Sequence, residues 1–151
     1  MTDLTHPFFK ATQEVFRLML DLDIKKTPPE QLSELKNKAV NVSIGIIGDL
    51  EGKIEYCIPE SITLEIVRIL SGMEMKELDD FVTSAISEVV NIISGNAMTG
   101  LFDHQVQCDI QPPSIEYTDT CTIQNKSDKV LTLETSIGQL HVDIQLVRKV
   151  A

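Results

Sequence analysis

The chain has 151 residues, 42% of them hydrophobic, a size and balance that suit one domain over residues 1–151 with a real core. Thirteen Lys and Arg against 23 Asp and Glu leave a formal charge of −10, which repels phosphate backbones and anionic bilayers, so no nucleic-acid or membrane partner is expected. Cys57, Cys108 and Cys121 are odd in number and lack CxxC spacing, which fits reduced intracellular thiols. With no signal-peptide pattern at the start and no apolar run near the ~20 residues of a membrane span, a cytoplasmic location is expected.

A first helix is predicted over 5–21, where Pro7 sits in the opening turn and Phe8, Val15 and Met19, flanked by Phe9, Phe16 and Leu20, form an apolar stripe. Residues 22–37 are polar, contain Pro28–Pro29 and read as a loop. Val40, Val42, Ile44 and Ile46 then alternate with small polar residues, and Ile54, Tyr56 and Ile58 alternate after the turn chemistry of 48–52. Together they predict a β-hairpin. A second helix is expected over about 60–71, ended by Gly72, with Ile62, Ile66, Ile69 and Leu70 inward.

A long third helix follows over about 76–101, and then strand-like segments around 106–110, 116–123, 129–135 and 139–148. Turns are expected at 125–128 and at Gly138. There is no βαβ rhythm, so the expected class is α+β: an antiparallel sheet with helices on one face.

The third helix carries the unusual chemistry. At about 100° per residue, Leu78, Phe81, Val82, Ala85, Ile86, Val89, Val90, Ile93 and Ala97 form its expected core side. The remaining arc holds Ser84, Ser87, Glu88, Asn91, Ser94 and Gly95. Ser84, Glu88 and Asn91, at i, i+4 and i+7, lie within roughly 60° of one another. No lysine or arginine occurs between Glu77 and Phe102, although exposed helix faces normally carry long charged side chains. Small neighbours such as Ser87 and Gly95 let another protein come close. Residue type alone supports a contact site and no more. His6, His104 and His141 have no metal-ligand spacing, so no metal site is expected.

Ser84-x-x-x-Glu88-x-x-Asn91 resembles the signature of the CheC–CheX–FliY phosphatases of bacterial chemotaxis: Asp or Ser, three residues, Glu, two residues, Asn. The segments Ser71-Gly72-Met73-Glu74, Leu78-Asp79, Gly95 and Asp109-Ile110-Gln111-Pro112-Pro113, and the hairpin from Ile44 to Gly52, are similar to its CheX branch over about residues 5–147. The first helix offers no second motif, because Glu14 is followed three residues later by Arg17.

The resemblance implies an antiparallel or mixed sheet of about six strands with long helices on one face. It implies hydrolysis of the aspartyl phosphate of a CheY-like receiver, and a homodimer. Asn91 would orient the attacking water, Glu88 would pair with the receiver's lysine, and Ser84, Ser87 and Gly95 would support the contact. An amide suits the first task because it donates and accepts hydrogen bonds without repelling phosphate. No cofactor of its own is implied, Mg²⁺ being expected on the receiver. A non-catalytic adaptor that binds receivers or flagellar-switch proteins is the alternative.

Overall fold

The alternating apolar residues of the predicted hairpin dictate a sheet with one greasy face, and that face organises the molecule. The computed structural model describes residues 5–26, 38–119 and 130–148. In chain order the elements are α1 (Thr5–Leu20), β1 (Lys25–Lys26), β2 (Ala39–Gly48), β3 (Leu50–Pro59), α2 (Glu60–Ser71), α3 (Asp80–Phe102), β4 (Cys108–Ile110), β5 (Ser114–Thr118), β6 (Val130–Thr135) and β7 (Gly138–Arg148).

The strands form one sheet in the order β1-β6-β7-β3-β2-β4, with β5 also paired to β2, and all these pairings are antiparallel. It has seven strands where about six were expected. The addition is the short β1, which falls inside the predicted 22–37 loop, while the predicted 106–110 and 116–123 segments give β4 and β5, which share the flank of β2 on either side of the Pro112–Pro113 break. The predicted 125–128 turn and the end of the 116–123 segment lie outside the described residues.

Register explains the core. Ile44 faces Ile54 and Ile54 faces Ile144, while Val42 faces Tyr56 and Tyr56 faces Val142. Side chains two apart share a sheet face, so these rows stack on one side. Phe8, Val15 and Phe16 of α1, Ile62 and Ile66 of α2, and Ile86, Val89, Val90, Ile93 and Ala97 of α3 join them in one buried cluster. Each Val, Ile or Phe side chain among them contributes about 1.5–3 kcal/mol on burial. The three helices therefore lie over one face, as expected. Met19 and Leu70, expected inward, are at the surface because they sit at the rims of their helices' stripes.

Helix ends follow their residues. Gly72 adopts φ 75°, ψ 5° and donates its N–H to the Arg68 carbonyl at 2.8 Å, closing α2 as its sequence predicts. At the hairpin tip, Asp49 and Gln107 exchange two hydrogen bonds: the Asp49 N–H donates to the Gln107 carbonyl at 2.9 Å, and the Gln107 N–H donates to Asp49 Oδ2 at 2.8 Å. That clasp ties the segment leaving α3 to the end of the sheet. Gln111 donates its N–H to the Gly45 carbonyl at 2.8 Å and lays its side-chain carboxamide where a Cβ on residue 45 would sit, so a larger residue there would displace the Gln111 side chain. No described helix is long and apolar enough to cross a membrane.

Candidate functional site

The site is built on α3, 23 residues and about 35 Å long. Its start is set by Asp79, which is extended and accepts the Val82 N–H on Oδ1 at 2.9 Å. The helix therefore begins at Asp80 rather than near residue 76. An N-cap aspartate satisfies a donor that has no partner within the helix and complements the positive end of its dipole.

Burial around α3 divides it unevenly. Val82, Ile86, Val89, Val90, Ile93 and Ala97 face the core, as predicted, and Leu101 joins them. Two positions differ from expectation. Ser94, placed on the exposed arc, is fully buried, with its Oγ 3.5 Å from the Tyr56 hydroxyl. Burial pushes the Tyr56 hydroxyl well above its ordinary pKa, so it stays neutral. Phe81, placed in the core, is 51% exposed. The helical wheel explains this, because Phe81 precedes Glu88 by seven residues and so points within about 20° of it.

The structure brings the predicted site residues together. Ser84 and Glu88 are exposed, and Asn91, Ser87 and Gly95 are half-buried on the same side of the helix. Ser87 flanks Asn91, roughly 40° around the axis. No hydrogen bond or ion pair within the described residues engages the Ser84, Glu88 or Asn91 side chains, so their hydrogen-bonding capacity faces outward. A Cβ added at Gly95 would meet nothing within 4 Å, so internal packing does not require glycine there. The resulting face can accept and donate hydrogen bonds and offers one carboxylate to a cation. It has no nucleophile activated by a base.

Other candidates lie elsewhere. His6 and His104 are exposed, whereas His141 is 4% exposed on β7 with Nδ1 3.0 Å from Thr132 Oγ1. Among the described residues, no three His, Cys, Asp or Glu side chains cluster as metal ligands would. Cys108 is a free, half-buried thiol, but Cys57 is disulfide-bonded, so the expectation of reduced thiols throughout does not hold. An open crevice of about 530 Å³, lined by Lys38, Glu60, Leu78, Tyr117 and Asp119 among others, lies beside the entry to α3 and includes no motif residue.

Comparison with known proteins bears on the same helix. The family model for the chemotaxis phosphatase CheX matches residues 40–135, a span that contains all of α3. The CheY-P phosphatase CheX of Thermotoga maritima is 32% identical over 108 residues, covering 70% of this chain and 69% of that protein. The crystal structure of CheX from Vibrio vulnificus superposes with a TM-score of 0.82 at 21% identity, over 97% of each chain. CheX in the CheX–CheY–BeF3–Mg complex of Borrelia burgdorferi gives a TM-score of 0.74 at 28% identity, over 99% of this chain and 100% of that one. The fold, the motif-bearing helix and the family match agree, and the chain belongs to the CheX family of chemotaxis phosphatases.

Proposed function

We propose that this protein accelerates hydrolysis of the aspartyl phosphate on a CheY-type receiver, with Asn91 orienting the water and Glu88 docking the receiver. The observation that carries the reading is the Glu88–Asn91 pair, which shares one helix face and is free of partners within the described chain. The Thermotoga relative's name as a CheY-P phosphatase and the Borrelia complex of CheX with CheY support the substrate class.

Little covalent work is needed from the enzyme. Water adds to phosphorus, the acyl P–O bond breaks, and the receiver's carboxylate and inorganic phosphate leave, with Mg²⁺ belonging to the receiver. Catalysis then consists of positioning and electrostatics. The Asn91 carboxamide accepts a hydrogen bond from the water and donates one toward the phosphoryl oxygens, holding the attack in line. Glu88, one turn before Asn91, takes a receiver lysine by a charge-assisted hydrogen bond. Ser84, Ser87 and Gly95 form the close-approach surface around the pair. Self-association into a homodimer is part of the same reading. The described pairings leave β1 at one border of the sheet and β4 and β5 at the other.

Asn91→Ala tests the chemistry. Decay of phosphorylated receiver is measured with a catalytic amount of protein, and the variant is expected to lose about 100-fold or more of the acceleration, the scale set by loss of positioning. Its circular dichroism should match wild type. Full acceleration by Asn91→Ala would end the proposed mechanism. Tight binding by the wild-type protein without faster decay would instead make it an adaptor.

A further inference from the structure

The chain has five phenylalanines and no tryptophan. Phe8 and Phe16 are buried and Phe9 packs against the core, all on α1. The other two are Phe81, 51% exposed, and Phe102, 62% exposed, and both are on α3. A single exposed phenylalanine needs no explanation. Two placed as these are do. Phe81, Ser84, Glu88, Asn91, Gly95 and Phe102 fall within an arc of roughly 80° on one helix face. Asn91 stands at the middle, with ten residues before it to Phe81 and eleven after it to Phe102.

We infer that Phe81 and Phe102 are the two ends of the docking strip, aromatic anchors that hold the receiver domain over Asn91. The inference rests on the receiver reading of this face. The rings' Cα atoms are about 31 Å apart along the axis, close to the diameter of a small domain. A standard interface covers about 800 Å² per partner, a patch about 30 Å across, so a domain seated on Asn91 reaches both rings. Interfaces are enriched in aromatics, and residues at their margin exclude water from the polar contacts at the centre. The strip between the rings has a single charge, Glu88, and no basic residue, with Asp80 and Asp103 beside its ends. The surface it fits is therefore a cationic one with apolar margins.

Phe81→Ala, Phe102→Ala and the double variant test this in the full-length protein. Both rings are half-exposed or more, so the fold should be retained, which circular dichroism checks. Two readouts are taken: steady-state decay of phosphorylated receiver, and binding to receiver activated with beryllofluoride and Mg²⁺. Each single change should raise KM about 3–10-fold and weaken binding equally, the double change should do so further, and kcat should stay constant. Phe→Leu at either site should recover part of the loss. Unchanged KM and binding in the double variant would overturn the inference, as would a shift from dimer to monomer by light scattering without a change in receiver affinity. The outcome separates from that of Asn91→Ala. Weakened binding by the phenylalanine variants alongside a fully active Asn91→Ala would keep the anchors and reject the water-positioning role.

Discussion

At the residue scale, the motif was readable because three side chains at i, i+4 and i+7 must share a helix face whatever the rest of the chain does. Their freedom from internal partners was not readable, since that depends on what packs alongside. Gly95 shows the difference. The sequence shows a glycine one turn past Asn91, which costs a helix about 1 kcal/mol relative to alanine. The structure adds that no neighbouring atom demands it. Gly95→Ala should therefore raise stability by about 0.5–1 kcal/mol in urea or thermal unfolding. Gly95→Gln should fold as well as wild type and, on the docking proposed above, raise KM for phosphorylated receiver, because a long side chain would stand in the path of the partner. A destabilised Gly95→Ala would show that the backbone needs glycine after all.

At the scale of the element, the hairpin β2–β3, helix α2 and strand β7 follow their sequence patterns within a residue or two, because each carries a clean period and a terminator. Helix α3 starts about four residues later than its sequence suggests: polar Lys76 and Glu77 fit a helical turn as well as a loop, and only the cap decides. Asp79 makes that decision through its bond to the Val82 N–H. Asp79→Ala should cost about 1 kcal/mol in chemical denaturation, while Asp79→Ser should recover most of it. An Asp79→Ala protein of wild-type stability would mean that packing alone sets the helix start. The inward and outward halves of α3 were mostly legible too, and failed at Phe81 and Ser94. Both positions border the stripe: the wheel alone puts Phe81 within about 20° of Glu88, whereas the burial of Ser94 depends on what packs beside the helix.

For the whole molecule, sheet order could not be read from the sequence, because period-2 alternation fixes which face is apolar and not which strand lies beside which. This order sets His141 of β7 between Thr132 of β6 and Cys57 of β3, where it is buried. Its burial holds the imidazole pKa below the ordinary value of 6.5, and Nε2 has no partner within the structure's described residues. The folded state thus resists a proton that the unfolded chain accepts near pH 6.5. Stability from this group is complete above that pH and falls as the solution is acidified from about 6.5 toward the folded-state value, by about 1.4 kcal/mol for each unit of depression. Urea midpoints at pH 7.5 and 5.0 should differ more for wild type than for His141→Gln. Equal slopes would remove His141 from the account. Burial works against the charge of Glu55, but hydrogen bonds from Lys53 and Asn41 outweigh it and hold its pKa below 4.5, so its share is lost only under that pH.

The same layering gives the Tyr56–Ser94 contact a meaning for the candidate site. The underside of α3 is mostly aliphatic, and aliphatic burial is non-directional. The two buried hydroxyls add a directional contact. If α3 turned Ser94 away, Tyr56 would be left without a partner in the core, at a cost of about 1–3 kcal/mol. A side-chain tip on a helix lies about 5–6 Å from the axis, so a 10° turn moves it about 1 Å. Misplacement on that scale costs a positioned reaction about 100-fold. Ser94 follows Asn91 by three residues, on the hidden side of the same turn. On the function proposed for this face, the Tyr56–Ser94 pair inside the core would limit how far α3 can turn, and with it the bearing of the Asn91 amide.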